Sequence, residues 1–77
     1  MQVIVVCKQE TPFIHTMPEY ESILQIRDSK GKVQTLDVNI HFLEKEDNIV
    51  TTIITASEYM ITDVELKKLV TQLGYPI

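Results

Sequence analysis

The pattern of hydrophobic and polar positions changes period along this chain. In residues 33–43, Leu36, Val38, Ile40 and Phe42 alternate with Thr35, Asp37, Asn39 and His41. Period-two alternation of this kind predicts a half-buried antiparallel strand. Towards the C-terminus the period lengthens: Leu66, Leu69, Val70 and Leu73 recur at i, i+3, i+4 and i+7, the single apolar stripe of a helix. Thr62 and Glu65 have capping-box spacing, and Ile61 and Leu66 fall at the two positions of a hydrophobic staple. Asp63 and Glu65 put negative charge in the first turn, which the helix dipole favours. Gly74 is placed as a left-handed stop, and Pro76 forbids resumption. A helix over 63–73 follows. At about eleven residues it is marginal alone in water, so its stripe must lie on a sheet.

The rest of the chain supplies that sheet. Residues 2–8 are a β-branched run with little alternation, which suits a strand covered on both faces or one at an interface. Residues 9–19 carry Pro12 and Pro18 and no period, and read as a loop. Phe13, Ile14 and Met17 within it either fold back as a lid or point outward. A second strand is expected over 20–28, with Tyr20, Leu24 and Ile26 on one face and Glu21, Ile23, Gln25 and Arg27 on the other. Asp28 to Lys32 is a hairpin turn, with Gly31 free to take a positive φ. The third strand is 33–43. Glu44, Lys45, Glu46, Asp47 and Asn48 form a polar turn, and 49–56 is the fourth strand.

The expected architecture is α+β, a single domain over 1–77. It has a four-stranded, mostly antiparallel sheet (about 2–8, 20–28, 33–43 and 49–56), with one helix packed on one face. Alternation places the stripe against Leu24, Ile26, Leu36, Val38, Ile40, Phe42, Val50 and Ile54. The first strand goes to an edge or to the middle of the sheet.

Composition narrows the class. Seventy-seven residues allow one thin core. With 44% apolar and 23% charged residues the chain has enough to bury, which argues against disorder. Cys7 is the sole cysteine, so no intramolecular disulfide can form, and a reducing, cytoplasmic setting is expected. The N-terminal apolar run is too short for a signal peptide, and no stretch is long enough to span a bilayer. The net charge of −4, with Lys30, Lys32, Lys45, Lys67 and Lys68 interleaved among acids, gives no basic footprint for nucleic acid.

Candidate chemistry is sparse. His15 and His41 have no partner at metal-ligand spacing, so no metal or other cofactor is expected. Cys7 closes an apolar run and reads as an inert thiol. Gly31 and Gly74 have structural explanations, and no phosphate loop or serine elbow is present. The expectation is a protein without catalytic activity that binds another protein, or itself as a homodimer. One helix covers one face of a sheet. The other face is expected to show Ile23, Ile49 and Ile53 as apolar anchors, with Asp37, Asn39 and His41 setting polar register. Phe13 and Met17 would join them from the loop.

The stretch Glu21-Ser22-Ile23 resembles the Glu-Ser-Ile strand motif of phage-type uracil-DNA glycosylase inhibitors. Pro18-Glu19-Tyr20, followed by Leu24, Ile26 and Asp28-Ser29-x-Gly31, is similar to a later hairpin of the same family. The two likenesses assign the same residues to different positions of that fold. The resemblance implies a small acidic sheet-and-helix protein that imitates DNA and plugs the cleft of a DNA-binding enzyme. Glu21 and Ser22 would then meet the elements that normally contact DNA. A pocket between sheet and helix would take an apolar side chain of the enzyme.

Overall fold

The computed structural model describes residues 1–8, 10–44 and 48–76. Its elements are β1 (Gln2–Val6), β2 (Phe13–Thr16), β3 (Ile23–Arg27), β4 (Val33–Glu44), β5 (Val50–Ser57) and α1 (Asp63–Leu73). The polar turn expected at 44–48 falls partly outside the described residues.

β1 lies inside the sheet, which is why its apolar run is unbroken: Val3, Ile4 and Val5 have no exposed surface. The five strands run in the order β2-β1-β5-β4-β3. β1 is parallel to β5, through Val3↔Ile54 to Val6↔Ser57, and every other pairing is antiparallel. The sheet is mixed and strongly curled into a half-barrel, which corrects the expectation of four mostly antiparallel strands.

The extra strand comes from the segment expected to be a loop. Phe13–Thr16 pairs with β1, with Phe13 opposite Val5 and Ile14 opposite Ile4. The four residues of this strand are too few to show a period, and an outer strand tolerates flanking prolines because one of its edges needs no hydrogen bonds.

Residues 17–22 then carry the chain from β2 to β3, the two outermost strands. So short a strap draws the edges towards each other. Met17 sits in the concave side, buried with Val3, Val5, Leu24, Leu36 and Val38. At the opposite rim the Glu10 carboxylate accepts from the Ser29 amide at 3.2 Å and from its hydroxyl at 2.6 Å. Both rims of the open side are thus tied.

The helix forms as expected and stands on the other side of the sheet. Thr62 Oγ1 accepts from the Glu65 amide at 3.2 Å, and Gly74 has φ 65°. Ile61, Leu66, Leu69 and Val70 bury against Ile4, Val6 and Ile53. The expected contact of the stripe with Leu24, Leu36 and Val38 is therefore overturned: those residues fill the concave side, where the sheet closes on itself. Both faces of β1 and β5 are apolar, so alternation alone does not say which one the helix takes.

Candidate protein-interaction surface

β4 is longer than the strands beside it. Its register with β3 ends at Ile23↔Asp37, and its last contact on that side is the Val38 amide donating to the Ser22 carbonyl at 2.9 Å. β1 reaches β5 only from Ile54 onward. Residues 41–44 and 50–53 therefore pair only with each other and, with Asn39 and Ile40 at the base, project as a two-stranded arm. The 44 Å long axis of the molecule, against 25 and 20 Å across, reflects that projection.

The two sides of the arm differ. On the helix side, Leu43 packs against the helix cluster and Ile53 is fully buried in it. His41 Nε2 lies 2.9 Å from Thr55 Oγ1, and Thr55 has no exposed surface. On the helix-free side stand Ile40, Phe42 and, opposite Glu44, Val50, with 45%, 73% and 60% of their surfaces exposed. The concave core stops before it reaches them. Ile49, also exposed, adjoins them at the start of β5.

A polar groove of about 350 Å³ lies between β4 and the segment leading into the helix. Ser22, Asp37 and Asn39 line it together with Ser57, Glu58 and Tyr59. Ile23, half-exposed, is the cross-strand partner of Asp37. Ser22, Ile23, Asp37 and Asn39 are thus brought to one place. Glu21 borders a separate hollow with His15, Met17 and Leu24. Phe13 is at the far edge of the sheet, on β2. Met17 and Ile53 are buried and contribute to the core, not to a surface. Ile53 stands under the helix because β5, paired with β1, needs apolar residues on both faces.

Ile40, Phe42 and Val50 are not legible as surface residues in the sequence, because they share the alternation of Leu36 and Val38. Strand length carries the missing signal: an eleven-residue alternating run outreaches the shorter strands next to it.

Cys7 and Asp28, outside the arm, are perturbed by their surroundings. Burial pushes the Cys7 thiol up, and the carboxylates of Glu58, Glu10 and Asp28 add to this. Asp28 is held below its usual value by the Gln34 side chain and then by the Lys32 and Lys30 amides. Among the described residues no buried side-chain nitrogen or oxygen lacks a hydrogen-bond partner. Among them, too, no helix is long and apolar enough to cross a membrane. Comparison of the chain with protein-family models, curated proteins and solved structures finds no match.

Proposed function

We propose that this small α+β protein is a non-catalytic interaction module that binds a protein partner through the helix-free side of its projecting arm. One observation carries the reading: Ile40, Phe42 and Val50 stand exposed together on an arm whose opposite side is anchored to the core. A contiguous apolar patch on a small domain marks a contact surface, and an aromatic at its centre is the usual kind of anchor. A cytoplasmic location accords with Cys7 as a buried, free thiol. The test is affinity capture from the native host with wild-type and Phe42→Lys protein, read by mass spectrometry. The variant should lose the specifically retained proteins; an unchanged set would sink the reading.

A second reading, an acidic DNA-mimic inhibitor of a DNA-binding enzyme such as uracil-DNA glycosylase, draws support from the polar groove. Ser22 lines it beside Asp37 and Glu58, and the exposed Glu21, which borders a separate hollow, precedes Ser22 in the chain. Binding of this kind would weaken as salt rises and would be competed by DNA. Glu21→Ala with Ser22→Ala should abolish it while leaving contacts through Phe42 intact.

A further inference from the structure

We propose that the occupant of the arm is a second copy of this chain, added along the free edge of β4 as a two-fold antiparallel pair centred on Phe42. The inference rests on the interaction reading above and names its partner.

The backbone sets the register. In an antiparallel strand, successive residues direct both N–H and C=O to alternate neighbours. The Val38 amide points towards β3, where it donates to Ser22. The even-numbered residues of β4 therefore face that edge, and the odd-numbered ones bond to β5. β5 shows the same alternation, its Ile54 amide turning away from β4 to the Tyr75 hydroxyl. Beyond Val38, β3 has ended, so the amides and carbonyls of Ile40, Phe42 and Glu44 face outward. Among the described residues they have no backbone partner on that side.

This edge is also unguarded. Proteins blunt free edges with short strands, proline, lysine or bulges. β2 is four residues long and lies between Pro12 and Pro18. β3 is five residues long and ends in Arg27. Residues 40–44, Ile-His-Phe-Leu-Glu, contain no proline or lysine.

The segment is its own complement. Ser22 already occupies Val38, so Ile40 is the first free position and Glu44 the last residue of the strand. The midpoint is Phe42. Pairing about it sets Phe42 against Phe42 and Ile40 against Glu44, always even against even. Backbone bonds and side-chain faces then match together. Rows of the joined sheet run Val50, Glu44, Ile40, Ile54 and Thr52, Phe42, Phe42, Thr52 across the two copies. This sets the exposed patch beside its own image on one face of a continuous sheet, with each copy contributing the same segment, as an isologous dimer requires. Glu44 is the only charged side chain in 39–44. The two Glu44 lie four residue steps apart, roughly 13 Å at the strand rise, beyond a Debye length of about 8 Å at physiological salt. A chain of net charge −4 thus meets itself with no like charges opposed.

The test is sedimentation equilibrium from micromolar to millimolar concentration. Wild-type protein should be a dimer, and Phe42→Pro a monomer with a native circular dichroism spectrum, because the substitution removes an outward N–H and none that β5 uses. In a Cys7→Ala background, Phe42→Cys should oxidise to a covalent dimer, since opposed residues of a bonded pair lie about 5.5 Å apart, within disulfide reach. Ile40→Cys should not. The cysteine pair decides the matter if Phe42→Pro does not fold. A wild-type monomer throughout overturns the second copy as occupant. Cross-linking by Ile40→Cys and not by Phe42→Cys overturns the register. The interaction reading itself falls only if Phe42→Lys also retains every captured protein.

Discussion

The Tyr75 hydroxyl donates to the Gln2 carbonyl at 2.7 Å, bonding the end of the chain to its beginning. The same oxygen accepts from the Ile54 amide at 3.4 Å. It stands where β1 starts and β5 comes in from the arm, filling a gap in the parallel ladder. The ring is itself buried in the helix cluster.

Tyr75→Phe keeps the ring and removes only the bridge. The Gln2 carbonyl and the Ile54 amide lose their partner, which should cost about 1–3 kcal/mol. Urea unfolding should show a lower midpoint with an unchanged slope, and amide exchange at Ile54 should quicken. An unaltered midpoint would refute the bridging role.

Ile53 and Phe42 should respond in opposite ways to substitution. Ile53 has no exposed surface and lies under the helix. Ile53→Ala should cost about 2–5 kcal/mol, and Ile53→Glu should unfold the protein outright. Phe42 is 73% exposed, so Phe42→Lys should change stability by no more than about 0.5 kcal/mol. Thermal unfolding at low protein concentration, where association does not contribute, separates the two.

Gly74 closes the helix at φ 65°, and a Cβ there would meet nothing within 4 Å. The cost of Gly74→Ala is then backbone strain alone, about 1–2 kcal/mol. Gly74→Asn, which tolerates this conformation better, should recover part of it. Equal losses in the two variants would place the cost elsewhere.

Asp28 organises the β3–β4 turn through bonds from Gln34 and the Lys30 and Lys32 amides. These bonds favour the carboxylate and lower its pKa on folding from the ordinary 3.8. The unfolded chain therefore takes up the proton first. The contribution of Asp28 is present above pH 3.8 and is lost as pH falls through the lower folded value. Asp28→Asn should be less stable than the parent at pH 6, with the difference shrinking by pH 2. A difference independent of pH would contradict this account.

Cys7 is buried, with its thiol pushed up by desolvation and by nearby carboxylates. Ellman's reagent should react with native protein at pH 8 far more slowly than with the urea-unfolded chain. Fast native reaction would instead mean an accessible thiolate.

Local chemistry makes much of this fold legible. Thr62, Leu66 and Gly74 signal the start, stripe and stop of the helix within one short segment, and the structure places α1 at Asp63–Leu73. The Asp28–Lys32 turn depends on Gly31 at φ 78° and on an aspartate that bonds its own neighbours, again short-range requirements. The alternation of β4 likewise needs only its own residues.

Tertiary structure decided what depended on distant partners. Phe13–Thr16 became a strand because β1 offered an open edge, not through any pattern of its own. The helix took the Ile4, Val6 and Ile53 face, while the strap carrying Met17 closed the other. Both faces of the inner strands are apolar, so alternation could not choose between them. The same closure moved the open apolar surface from Ile53 to Ile40, Phe42 and Val50. A residue's pattern shows which neighbours share its side of a strand; whether that side meets core or solvent depends on how far the adjoining strands extend.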